Sequence, residues 1–245
     1  MKLKLFRGLS LAPSTVEGVI QDIKDNGINI LKDSHCQIEI NDFKNDLEIL
    51  FNEPNLSREK TQPSIWVGSK NNGYSKLVNG EKVICFADSV GAAYYAKRHN
   101  ITKEKTIPVL IEIEEDIENI FIDGRDFLYT CFQNIDTKNK EKYFRQKETL
   151  IKIFGNDIVK YLNKIQDNAS IDKIALCDLV IQDNEIIKNH YENNILIQGR
   201  YNTIFHSAFF VKTPILNSKV KKVEILDTIV FNAIPELTLN DFLER

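Results

Sequence analysis

Arg7 is the residue whose placement first asks for chemistry. It stands in LFRGLS (5–10), where Leu3 and Leu5 alternate with Lys2 and Lys4, which sets the odd positions on the inward face of a strand. A guanidinium on that face needs a partner, because an unpaired buried charge is costly. Either an internal carboxylate supplies it or a ligand does. Gly8 follows, and without a Cβ it lets another group approach the backbone closely. A second polar corner lies in VICFADSVGAAYYAKRH (83–99). There a short apolar strand ends at Asp88 and Ser89, and a stretch of helical composition with small residues on one side begins. Asp88 and Ser89 either cap that helix or present a carboxylate and a hydroxyl to a bound group. Late in the chain, HYENNILIQGRYN (190–202) brings Glu192, Asn194 and Gln198 beside an apolar run.

Other chemistries find little to use. The chain has no GxxxxGK[ST] or GxGxxG motif and no Ser or Cys nucleophile motif. His35, His99, His190 and His206 show no metal-ligand spacing, so no metal site is expected. Cys36, Cys85, Cys131 and Cys177 lack the paired spacing of a redox or zinc motif and read as reduced thiols, mostly buried. Arg125, between two aspartates in IDGRDFLY (122–129), reads as a turn salt bridge.

The elements that must position these residues alternate in type. STVEGVIQDIKDNGI (14–28) has a Ser14/Thr15 cap, apolar helical spacing and a stop at Gly27. Short apolar runs (INIL, CQIEI) and a helix-like NDFKNDLEILF ending before Pro54 follow. The polar stretch 55–82, NLSREKTQPSIWVGSKNNGYSKLVNGEK, reads as a long loop or hairpin. Its Trp66 either closes over a ligand or anchors the loop to the core, and the loop is expected at a cleft mouth. TIPVLIEIE is a β-branched strand, and IENIFIDGRDFLY carries another into a DG turn. Residues 140–165 have helical spacing with lysines outward, and SIDKIALCDLV extends the helical block. Strands return in NNILIQ, NTIFHSAFFV and VKKVEIL, before a terminal helix capped near Thr238 or Asn240. The order is that of an α+β fold: one domain over 1–245, with a loop-rich insertion around 28–80 and a helical insertion around 138–180.

With 32 Lys+Arg against 35 Asp+Glu the formal charge is −3, which gives no global field for nucleic acid. The lysine-rich KNKEKYFRQK and NSKVKKVE are local basic patches or solvated faces. MKLKLFRG lacks the apolar run of a signal peptide, and no stretch of about 18 apolar residues occurs. A soluble, cytoplasmic protein with no membrane partner is expected.

LFRGLS with its following helix, VICFADSVGAAYYAKRH and VLIEIEEDIENIFIDGR together resemble the ADP-ribosyltransferase superfamily, in its arginine-serine-glutamate branch. The resemblance implies a split β-sandwich of two antiparallel sheets with flanking helices, the NAD cleft between them and the first strand in the middle. It implies NAD as co-substrate, with Arg7, Gly8, Phe86, Ser89 and Gln198 as its binding residues and Arg7, Ser89 and Glu192 as catalytic ones. Asp88 stands where that family usually has a hydroxyl residue. Matching the family's Gln/Glu-x-Glu motif to 192–197 puts Asn194 in the catalytic place, so Glu192 in a shifted register, a variant site at Gln198 and Gly199, or an acid elsewhere must serve. The implied activity is mono-ADP-ribosyl transfer to RNA, DNA or protein by an intracellular toxin or effector, with a neutralising protein partner. The alternative is an inactive module of the same fold that holds a nucleotide or a partner.

Overall fold

A computed structural model describes residues 1–28, 37–61, 65–67, 81–98, 106–226 and 233–244. Alternation in KLKLFRGLSL produces β1 (Lys2–Leu11), with Leu3, Leu5 and Leu9 buried. The β-branched β5 (Ile107–Asp116) runs antiparallel to it in unbroken register from Lys2↔Asp116 to Leu11↔Ile107. On the far side of β5 lies β10 (Val220–Ile225). On the other side of β1 the ladder is brief. There β4 (Glu81–Ala87) meets β1 at Phe6↔Ala87 alone, and the two strands then part. Past β4 the sheet continues along two paths. One runs to β2 (Gln37–Ile40) and β3 (Ile65–Val67), the other to β9 (Ala208–Lys212) and β6 (Ile120–Ile122). All these pairings are antiparallel and make one eight-stranded sheet.

A smaller sheet joins β7 (Ile197–Gln198), β8 (Ile204–Phe205) and β11 (Leu237–Thr238). β7 and β8 are a hairpin and therefore antiparallel, whereas β11 pairs β7 in parallel. That pair corrects the expectation of two wholly antiparallel sheets. The chain reaches β11 after a long excursion, so nothing local forces its direction.

Helices cover the large sheet. α1 (Val16–Asn26) packs near β10, and α4 (Ser89–Arg98) lies on β1 and β5. Position 8 must be glycine for this: a Cβ there would sit 2.0 Å from the Ala92 carbonyl oxygen and 2.9 Å from the Ala96 Cβ. The helical block is longer than the expected 138–180 and comprises α5 (Leu128–Gln133), α6 (Lys140–Phe154), α7 (Val159–Asp167), α8 (Lys173–Val180) and α9 (Asn184–Tyr191). The stretch of helical spacing over 140–165 forms two helices, because Gly155 at φ 77° ends α6 in a conformation that costs glycine little. The stretch read as a loop over 55–82 carries α3 (Arg58–Thr61) as well as β3, where Trp66 pairs Ile38. Residues 62–64 and 68–80, on which the expected cleft-mouth loop depends, lie outside the described residues. α10 (Leu239–Glu244) starts at a reciprocal cap in which Thr238 Oγ1 accepts from the Asp241 N–H and Asp241 Oδ2 from the Thr238 N–H. Among the described residues no helix is long and apolar enough to cross a membrane.

Two buried titratable groups link this core to pH. The His190 imidazole stacks on Phe154 with ring centroids 4.6 Å apart, and its Nε2 accepts the Ala208 N–H at 3.2 Å. Burial pushes its pKa from 6.5 down to about 3. Between those values the folded chain binds fewer protons there than the unfolded chain, so this stabilisation is lost as pH falls. Asp178 runs the other way. Burial pushes its carboxyl from 3.8 up to about 7, against hydrogen bonds from Tyr129 (2.6 Å) and Thr61 (2.7 Å). Its stabilisation is full below the lower value and lost as pH rises to the upper. The two slopes oppose each other from about pH 4 to 6.5. Asp178→Asn removes one and uncovers the other. Its unfolding free energy in urea is expected to fall, relative to wild type, as pH drops from about 6.5 to 4.5, by up to about 1.4 kcal/mol per pH unit. Parallel wild-type and variant profiles would refute this assignment.

Candidate functional site

The site is built where β1 and β4 part. Ladder hydrogen bonding between them stops after Phe6↔Ala87, and Arg7 reaches across the gap: its Nη1 donates to the Cys85 carbonyl at 2.7 Å. An interrupted ladder leaves carbonyls that need donors, and Arg7 serves one of them. The rest of the guanidinium is less satisfied. Its Nε is buried without a hydrogen-bond partner, and among the described residues no carboxylate forms an ion pair with it. Among the described residues the half-buried cation therefore has a carbonyl partner and no ion pair.

A second guanidinium stands close by. Arg125 Nη2 donates to the Cys85 Sγ at 3.0 Å, and the guanidinium lies 4.7 Å from the Phe210 ring centroid. As the sequence suggested, it is paired in its turn, with Nε to Asp123 Oδ1 at 2.8 Å and Nη2 to Oδ2 at 2.6 Å. Burial alone would lower its pKa, and Asp123 more than reverses that. Burial pushes the Cys85 thiol up, while Arg125 and Arg7 pull it back. Arg125 is neutralised by Asp123, and Arg7 forms no ion pair among the described residues. A planar fork of donors with net positive charge suits phosphate oxygens.

The corner after β4 is held by Asp88. Its Oδ1 accepts the N–H groups of Val90 (2.8 Å) and Gly91 (3.1 Å), capping α4, and its Oδ2 accepts those of His206 (2.7 Å) and Ser207 (3.0 Å). One carboxylate thus joins the start of α4 to the entry of β9. A hydroxyl could not satisfy four amides, which accounts for aspartate at this position. Ser89, relieved of capping, is exposed as the first residue of α4. Phe86 is 3% exposed and packs in the core with Ile84. Gly8 serves the approach of α4, not the open approach of a ligand.

The late residues fall elsewhere. Glu192, one residue before the run NNILIQ expected as a strand, is the exposed C-cap of α9, which continues through Tyr191. Asn194 is exposed too, and the described hydrogen bonds and ion pairs connect neither residue to Arg7. Gln198 lies on β7 and closes the hairpin, its Nε2 donating to Asn202 Oδ1 at 3.2 Å. The fold therefore brings Arg7, the Asp88–Ser89 corner and Arg125 around β4, and leaves Glu192 and Gln198 in other roles.

His206 is the residue that sequence reasoning passed over. Its N–H is held by Asp88 and its carbonyl accepts from Asn193 Nδ2 at 2.6 Å, while its Nδ1 is buried with no partner. The available signal was a polar pair, His206–Ser207, entering an apolar strand, the mirror of Asp88–Ser89 leaving one. Comparison with protein-family models, curated proteins and solved structures returns no match for the chain, so the reading of this site rests on its own geometry.

Proposed function

We propose that the chain is a mono-ADP-ribosyltransferase that uses NAD as co-substrate and acts on a macromolecular acceptor, in the manner of an intracellular toxin or effector held in check by a protein partner. The observation that carries this reading is Arg7: a cation on the inward face of β1, at a split in the sheet, with a buried unpartnered Nε and, among the described residues, no carboxylate paired with it. NAD offers such a group its pyrophosphate, which accepts a fork of N–H donors. Breaking the nicotinamide–ribose bond develops positive charge on the ribose, and a carboxylate facing that charge lowers the barrier. Ser89, exposed at the head of α4, would orient a bound group at the same corner.

A second reading is favoured by one observation. Glu192 sits exposed at a helix end and Asn194 stands exposed beside it, as they would in a module that holds a nucleotide without cleaving it. Incubating the chain with NAD and quantifying free nicotinamide separates the two. Slow release above the protein-free rate is expected for the transferase, since such sites hydrolyse NAD without an acceptor. Intact NAD with saturable binding by calorimetry assigns the binding module, and neither signal overturns both.

A further inference from the structure

The geometry points to a single-stranded nucleic acid as the macromolecule this protein engages, on a surface formed by α4 and the β7–β8 hairpin. Tyr201 is 49% exposed at the hairpin tip and Tyr95 is 46% exposed on α4. Arg200 is exposed beside Tyr201, its guanidinium 5.4 Å from the ring centroid, and forms no ion pair among the described residues. A large exposed aromatic beside an arginine without an ion pair, with a second exposed tyrosine on the helix to which the hairpin is tied, makes a platform on which unpaired bases stack while the cation meets the backbone.

The hairpin is fixed in place. The Arg200 N–H donates to the Asp126 carbonyl at 2.8 Å and the Tyr201 N–H to Asp126 Oδ1 at 2.8 Å. Gly199 lets Asp126 come so close that a Cβ there would lie 2.6 Å from the carboxyl carbon. Asn202 adopts φ 56°, and its carbonyl accepts from Tyr94 Oη at 2.9 Å, which ties the tip to the helix that carries Tyr95. The tip is braced from below, and its large side chains point outward at no cost to the core. Such preorganisation lowers the entropy that binding must overcome.

Ion pairing sets this surface apart from the lysine-rich NSKVKKVE. In NSKVKKVE, Lys219, Lys221 and Lys222 are paired with Glu115, Glu114 and Glu224. In KNKEKYFRQK, Arg145 pairs with Glu141, whereas Lys142 and Lys147 donate to the neutral Leu243 carbonyl and Asn163 side chain, and among the described residues no carboxylate remote in sequence braces that stretch as Asp126 braces the hairpin. A formal charge of −3 also disfavours tracking a duplex by its phosphates, and a duplex hides the base faces that tyrosines contact. As an acceptor assignment this inference rests on the transferase reading; as a binding surface it stands apart from it.

Fluorescence anisotropy with labelled single-stranded DNA and RNA oligonucleotides and the matching duplex, without NAD, tests it. The full chain should bind a single strand in preference to duplex. Arg200→Ala, Tyr201→Ala and Tyr95→Ala should each weaken that binding by about fivefold or more with unchanged melting temperature. No single-strand binding, equal duplex binding, or variants that bind like wild type would overturn the inference. A mass-spectrometric finding, in cells expressing the chain, of ADP-ribose on protein alone would overturn it as an acceptor assignment. Single-strand binding without nicotinamide release would defeat the transferase reading and leave the surface standing; nicotinamide release without single-strand binding would do the reverse.

Discussion

Arg7→Ala is expected to abolish nicotinamide release while the chain stays folded. The substitution removes one hydrogen bond, to the Cys85 carbonyl, and leaves behind no buried carboxylate, because among the described residues none is paired with Arg7. The loss should be about 1–2 kcal/mol, a shift of a few degrees in melting temperature for a chain of this size. Had the arginine been half of a buried ion pair, its removal would cost about 3–5 kcal/mol. Arg7→Lys sharpens the test. Lysine keeps the charge but loses the planar fork, so activity should remain down by about one to two powers of ten, corresponding to about 1.5–3 kcal/mol of charge-assisted bonding. Melting curves and NAD turnover on the same two variants decide the matter. Severe destabilisation with normal specific activity in the folded fraction would sink the NAD reading.

Asp88→Ala should be the most damaging single change to the corner itself. It strands four backbone N–H groups at once, those of Val90, Gly91, His206 and Ser207. Hydrogen bonds to a charged acceptor contribute about 1.5–3 kcal/mol each, and partial hydration of the helix end discounts two of them. A net loss of about 3–5 kcal/mol follows, or about 10 °C in melting temperature. Asp88→Asn discriminates the mechanism. As a plain N-cap, asparagine equals aspartate. Here each carboxylate oxygen accepts two amides, so whichever becomes an NH2 group faces two donors. Asp88→Asn should therefore keep at least half of the alanine defect. Wild-type stability in that variant would show that Asp88 only caps α4 and does not bind the β9 entry.

Sequence by itself determined what depends on neighbours along the chain. Alternation in KLKLFRGLSL set β1 and put Arg7 on its inward face, and β-branching set β5. Caps at Asp172 and Thr238 fixed the starts of α8 and α10. The cap at Asp183 and the apolar Ile186 and Ile187 were equally local signals of α9, which ends at Tyr191 and leaves Glu192 as its C-cap. Tertiary structure decided the rest. Gly8 announces a close approach in any fold, yet only the docking of α4 shows that Ala92 and Ala96 make it. Arg7 announces a need for a partner, yet only the parting of β1 from β4 supplies the Cys85 carbonyl and leaves Arg7 without a paired carboxylate among the described residues. Asp88 and His206 meet across 118 residues of sequence because β4 and β9 pair antiparallel. A strand's periodicity specifies which side chains face inward but carries no information about which distant strand will lie alongside.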